Sequence, residues 1–230
     1  MSTTLSPELA TKFRDAVRQQ ESLLAAAEKK CLYWLARRLP AWVQPDHLTL
    51  LGFASMFLAG CTYALARWWP PSLLVVALWL AVNWFGDSLD GTLARFRNRQ
   101  RPRYGFYVDH MVDSFGTLFL VAGLALSGYM SERVAVALLV SFLLLSINSY
   151  LATYTLGTFQ LSFWKFSPTE LRVLLAIGNA VAFVRPLVTV FGARYRFFDV
   201  AGAVAVVVML GVLVVSMVRN TRKLYRLEKI

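Results

Sequence analysis

The sequence predicts an all-α, polytopic membrane protein, with six transmembrane helices preceded by an amphipathic helix lying along the membrane surface. Three observations lead there. Hydrophobic residues make up 57% of the 230, with a mean hydropathy of +0.53, more apolar surface than a soluble domain of this length would carry. They fall in runs long enough to cross a hydrocarbon layer of roughly 30 Å, separated by short polar breaks. The 24 lysines and arginines, which set a net charge of +11, gather at the ends of those runs. That placement follows the positive-inside rule and attraction to anionic lipid, and leaves no basic, aromatic soluble surface for a nucleic acid partner.

The chain, 1–230, reads as one domain, with the surface helix at 7–39 and the six-helix bundle at 45–220. Ser6 caps the first helix and Pro7 takes its first position. Leu9, Phe13, Val17, Leu23 and Leu24 recur at roughly helical spacing, Lys12, Arg14, Arg18, Lys29 and Lys30 fill the polar side, and Pro40 ends it. The opening MSTTLSPELATKFRDAVRQQ has no apolar core of a leader, so no cleaved signal peptide is expected. The first span is expected over 47–67, the second from Ser72 to Arg95 and the third from Gly105 to Tyr129. The fourth runs from Val134 to Leu156 and ends in a polar stretch with Asn148, Tyr150, Thr153 and Tyr154. Ser167-Pro168-Thr169-Glu170 is a capping box that opens the fifth. The sixth runs from Phe198 to Val218 and passes into a basic tail.

Loop charge orients the bundle. Arg95, Arg97, Arg99, Arg101 and Arg103 lie between the second and third spans, and both termini are basic. The alternate loops carry little more than Arg67 and Arg133, so the termini and the arginine-rich connection are expected to face the cytoplasm. Arg194 and Arg196 run against this rule. Cys31 and Cys61 are isolated, with no CxxC and no disulfide framework.

Within this apolar chain, four carboxylates stand as two close pairs, Asp87/Asp90 and Asp109/Asp113. The i, i+3 and i, i+4 spacings put each pair on one helix face. A carboxylate at the bilayer centre costs roughly 2.5–3.5 kcal/mol, so four together need cations or tightly held basic partners. Pairing with the loop arginines would account for Asp87 and Asp90. It leaves Asp109 and Asp113, which run straight into SFGTLFLVAGLAL, unexplained. Hard oxygen ligands on facing helices suit Mg²⁺, Mn²⁺ or Ca²⁺ rather than zinc. Gly91 and Ala94, just beyond the first pair, permit close approach of a ligand or of a neighbouring helix.

The run Asp87-Ser-Leu-Asp90-Gly91-Thr-Leu-Ala94-Arg95, then Gly105, Asp109 and Asp113, resembles the signature of the CDP-alcohol phosphotransferases at all eight fixed positions. The resemblance implies six membrane helices and a site at their cytoplasmic end. It also implies two divalent cations, Mg²⁺ first and Mn²⁺ second, held by Asp87, Asp90, Asp109 and Asp113, with Asp113 also the catalytic base. Gly91, Ala94, Arg95 and Gly105 would line the nucleotide pocket, with Arg101 or Arg103 on the diphosphate. Pro45, Asp46 and Thr49 resemble the family's Pro-Asn-x-x-Thr stretch near the cytidine, and helix capping accounts for Asp46 equally well. The partners implied are a CDP-alcohol donor and an alcohol acceptor, one of them a lipid, and commonly a second copy of the chain.

Asp109-His110-x-x-Asp113-Ser114, and Thr153-Tyr154-x-x-Gly157-Thr158-Phe159 followed by Thr169-Glu170, are similar to segments of the choline and ethanolamine phosphotransferases. For His110, packing and substrate contact both stay open. The arginine that family members use for phosphorylated acceptors is missing from SYLATYTLGTFQLSF. An acceptor pocket drawn from Asn148, Tyr154, Lys165, Glu170 and Arg172 therefore points to an uncharged or cationic hydroxyl compound or a diacylglycerol, although capping alone explains Glu170. Two other readings stand beside this one. A CDP-diacylglycerol-dependent transferase acting on a small polar alcohol is one. The other is a divalent-cation transporter or channel, which explains the acids but not Gly91, Ala94, Arg95 and Gly105 at their offsets.

Overall fold

A computed structural model of the protein describes residues 17–19, 25–160 and 168–228. Seven helices follow in order: α1 (Ala25–Arg38), α2 (Pro45–Leu65), α3 (Ser72–Phe96), α4 (Pro102–Leu126), α5 (Glu132–Leu156), α6 (Pro168–Val184) and α7 (Phe197–Leu227). Two short pairs of strands join them. β1 (Val17–Gln19) runs parallel to β2 (Thr158–Gln160), and β3 (Leu187–Val190) forms an antiparallel hairpin with β4 (Ala193–Arg196).

Five helices, α2 to α5 and α7, are long and apolar enough to cross a membrane. Six were expected. At 17 residues α6 spans only about 25 Å at 1.5 Å per residue, short of a hydrocarbon core, and it carries the buried polar residues Glu170 and Asn179. Exposed side chains on α5 repeat at three- and four-residue steps, Val136, Val140, Leu144, Ile147 and Leu151, the stripe of a helix that faces lipid.

The surface helix expected over 7–39 is not continuous. Gly157, in the left-handed conformation at φ 64°, closes α5 and leaves residues 158–160 extended. Their edge pairs with the backbone of 17–19, which is therefore a strand, and the helix is described only from Ala25. The expected cap at Ser6 and Pro7, and the apolar positions Leu9, Phe13, Leu23 and Leu24, lie outside the described residues. What remains, α1, packs Leu32 and Ala36 against Leu89 and Leu93 of α3. Its Glu28 sits in the first turn and Arg37 and Arg38 in the last, in keeping with the helix dipole.

Glycines bring α2 close to both its neighbours. A Cβ on Gly86 of α3 would stand 2.5 Å from the Leu48 carbonyl oxygen of α2. One on Gly123 of α4 would stand 2.0 Å from that of Gly60. Larger residues would push the helices apart, so these contacts set the spacing of the bundle. The apolar core, with Tyr63, Leu73, Val76, Leu80, Leu124 and Phe198, fills the end towards the hairpin. The acids lie at the other end.

Candidate active site

The α3 turns that carry Asp87 and Asp90 are held by α2 and α6. On α3, Asp87 forms an ion pair with Arg172 of α6 at 2.5 Å. The same guanidinium donates from Nε to Asn83 Oδ1 at 2.8 Å, and Asn83 Nδ2 donates to the Gly52 carbonyl of α2 at 3.0 Å. Asp90 accepts the Thr49 hydroxyl from α2 at 2.6 Å and the backbone N–H of Gly91 at 2.5 Å. Asp90 interacts electrostatically with Asp87 and Asp109, and Asp113 with all three and with Arg172. The two pairs expected from spacing are therefore brought together. Asp87, Asp90 and Asp109 are half-buried, whereas Asp113 is exposed.

The donor set fits a hard divalent cation, being carboxylate oxygens only. The present side-chain positions do not converge on one ion. Among the described residues no three His, Cys, Asp or Glu side chains are grouped to hold a metal, with Asp87 turned to Arg172 and Asp90 to Thr49.

Beside the acids, the Arg95 guanidinium lies over Gly91, 3.4 Å from where a Cβ would be, and donates to Thr92 Oγ1 at 3.2 Å. Gly105 and Arg103 are exposed, Ala94 is half-buried, and no heavy atom comes within 4 Å of a Cβ built on Gly105. Three alternate arginines then fasten the α3–α4 connection to the segment before α2. Arg97 donates to the carbonyls of Leu39 (3.1 Å), Pro40 (2.9 Å), Ala41 (3.4 Å) and Val43. Arg99 donates to Gln44 Oε1 at 3.0 Å, and Arg101 pairs with Asp46. Arg101 donates to Asp46, and that hydrogen bond raises the Arg101 pKa above its ordinary value. Asp46 is thus not the helix cap. Gln44 holds that position, and its backbone N–H donates to His47 Nδ1 at 3.3 Å.

Those acceptor residues expected from sequence that are described have different surroundings. Arg172 joins the acids and Glu170 is buried two residues before it on α6. Asn148 instead donates to Ser216 Oγ of α7 at 3.0 Å, the partner an amide needs between two apolar helices. Tyr154 is 90% exposed and continues the lipid-facing stripe of α5. Lys165 and Ser167 lie outside the described residues. His110 lies tilted against Phe106 at 4.1 Å and edge-to-face with Tyr150 at 4.8 Å, with Nδ1 2.5 Å from the Phe106 carbonyl, so packing accounts for it.

Glu28 of α1 went unassigned in the sequence. Its Oε1 accepts Trp84 Nε1 (2.8 Å), Ser88 Oγ (3.3 Å) and Thr169 Oγ1 (2.8 Å), joining α1 to the turns that bear Asp87 and Arg172. The one available signal was an acid in an otherwise basic stretch.

A bundle of membrane-length helices with four aspartates gathered at one end defines an integral membrane protein with a polar site near one surface. Residues 42–218 match the profile of the CDP-alcohol phosphatidyltransferase family, and the chain belongs to that family of transferases. Curated relatives include cholinephosphotransferase 1 of Gallus gallus, 29% identical over 187 residues that cover 74% of this chain and 54% of that protein. Cholinephosphotransferase 1 of Homo sapiens is 29% identical over 154 residues, 63% of this chain and 37% of the relative. Archaetidylinositol phosphate synthase of Pyrococcus horikoshii is 31% identical over 113 residues, 49% and 53% respectively. The aligned parts span about half, or less, of the length of these relatives.

Proposed function

We infer that the protein transfers a phospho-alcohol group from a CDP-alcohol to a second alcohol, releasing CMP, with a CDP-aminoalcohol as donor and diacylglycerol as acceptor. The observation that carries this is that Asp87, Asp90, Asp109 and Asp113 lie within electrostatic reach of one another at one end of the bundle, bordered by Gly91 and Arg95, in a chain of that family. Asp87, Asp90, Asp109 and Asp113 would hold two divalent cations, Mg²⁺ or Mn²⁺, after Asp87 and Asp90 turn from their present partners. Bound there, such cations neutralise charge on the diphosphate. Asp113 takes the proton of the acceptor hydroxyl. The hydroxyl oxygen forms a bond to the phosphorus that carries the alcohol, and the bond from that phosphorus to the bridging oxygen breaks, so CMP leaves. Arg95 and either Arg101 or Arg103 hold the nucleotide diphosphate, and release of Arg101 from Asp46 would free both side chains for it.

Two points support the aminoalcohol reading. Relatives named cholinephosphotransferase recur among the similar proteins. The acceptor side also offers little positive charge, since Arg172 is the one base described there and a phosphomonoester would need several dedicated ones. Similarity to an archaetidylinositol phosphate synthase favours the second reading, transfer of a lipid phosphate from CDP to a small polar alcohol. The termini and acids face the cytoplasm in this proposal, and α6 crosses as the sixth span. A panel of CDP-alcohols and acceptors, with products identified by mass, tests the assignment. Phosphatidylcholine or phosphatidylethanolamine from the CDP-aminoalcohol is expected. Product only from CDP-diacylglycerol with glycerol 3-phosphate or inositol phosphate would overturn it.

A further inference from the structure

The β3–β4 hairpin lies at the end of the bundle away from the aspartates and has no part in the chemistry above. Its turn has two central residues, Phe191 at φ 49° and Gly192 at φ 81°. Turns of this kind need positive φ at both positions, which is why asparagine and glycine dominate them. A bulky residue there is strained, and Phe191 makes no compensating burial, being fully exposed. Folding alone would not select it.

The register pairs Leu187 with Arg196, Val188 with Tyr195, Thr189 with Arg194 and Val190 with Ala193. Alternation therefore puts Leu187, Thr189, Arg194 and Arg196 on one face and Val188, Val190, Ala193 and Tyr195 on the other, where Val188 and Val190 are half-buried and Tyr195 is exposed. The hairpin is amphipathic. Arg185, Arg194 and Arg196 are exposed, and among the described residues no ion pair joins them to a carboxylate. A two-stranded hairpin is marginal in water, so an apolar face of this kind needs a non-aqueous neighbour. The hairpin runs directly into α7, a helix long and apolar enough to cross a membrane, so the head-group layer lies beside it.

We propose that β3–β4 is a lipid anchor. Phe191 and Tyr195, both exposed, enter the boundary between head groups and acyl chains, while Arg185, Arg194 and Arg196 hold the phosphates of anionic phospholipids. Charge identifies the occupant, because three unpaired guanidinium groups beside apolar side chains match a phosphate layer over hydrocarbon. The same contact explains why Arg194 and Arg196 stand against the loop-charge rule.

The test uses the full chain in lipid nanodiscs, with Cys31→Ser and Cys61→Ala, and an environment-sensitive fluorophore on Thr189→Cys at the exposed arginine face. Quenching is read with nitroxide-labelled phosphatidylglycerol and, separately, phosphatidylcholine. Stronger quenching by phosphatidylglycerol is expected, and each arginine changed to glutamine should lower that preference roughly fivefold. Phe191→Asn should weaken quenching by both lipids while leaving the thermal midpoint in detergent equal or higher, because asparagine suits the turn. Water-like emission without quenching, or equal quenching by the two lipids, would overturn the proposal. A lower midpoint for Phe191→Asn would also overturn it, since Phe191 would then be packed against protein.

Discussion

At the aspartate end the helices are tied by polar and charged side chains. Arg97 reaches four carbonyls, Arg172 joins Asp87, Thr49 joins Asp90, and Glu28 gathers three donors. At the hairpin end the ties are chiefly apolar: Leu73, Val76 and Leu80 are buried, Tyr63 meets Phe198 edge-on at 6.5 Å while its hydroxyl donates to Asn179 Oδ1 at 2.7 Å, and Gly60 touches Gly123. Polar ties can exchange one partner for another without opening a void, whereas close-packed side chains cannot. The chain therefore keeps its exchangeable contacts where a substrate would compete for them, and its fixed contacts where nothing has to move.

Substitutions should separate the two ends. The largest effect is expected for Asp113→Asn, which keeps the size of the side chain and removes the base. Its turnover should fall roughly 10²- to 10⁴-fold while CDP-alcohol binding, measured by calorimetry, persists. Near-normal turnover would remove Asp113 from that role. Gly86→Ala acts on the backbone packing beneath the aspartate end. Its Cβ, 2.5 Å from the Leu48 carbonyl, must push α2 from α3 and stretch the Thr49–Asp90 bond. A stability loss of about 1–3 kcal/mol in chemical denaturation is expected, with activity falling in parallel.

Arg97→Ala leaves four carbonyls without their donor, and hydrogen bonds to charged groups are individually worth about 1.5–3 kcal/mol. Because the clamp holds the segment leading to Asp46 and Thr49, the donor KM should rise more than kcat falls. Arg97→Lys should not rescue it, since one ammonium cannot fan across the same carbonyls. Smallest in stability terms is Arg95→Ala, an exposed side chain whose loss should leave the thermal midpoint unchanged and still weaken donor binding. Unaltered donor affinity would return Arg95 to a role at the membrane surface only.

Much of this arrangement was legible in the sequence, for reasons tied to distance along the chain. Helix α3 begins at Ser72 as expected and ends one residue later than expected, because an apolar run between Pro71 and the arginine-rich loop leaves little choice. Asp87/Asp90 and Asp109/Asp113 share faces because helical spacing dictates it. Arg172 on Asp87 and Thr169 on Glu28 were not legible, since they join residues 85 and 141 positions apart and depend on how whole helices pack. Strand β1 was lost to a helical pattern because its partner, β2, lies beyond four spans. The hairpin had a local signal that went unread: Leu187-Val-Thr-Val, Phe191-Gly192, then alternating arginines.

The most direct test of the account is CMP release from a CDP-alcohol by the purified protein, with and without Mg²⁺, for the native chain and for Asp109→Ala. Release that needs the cation, stops with chelator and is lost in Asp109→Ala at an unchanged thermal midpoint is the predicted result. CDP-alcohol left intact under all conditions, with Mg²⁺ or Mn²⁺ crossing proteoliposome membranes instead, would contradict it.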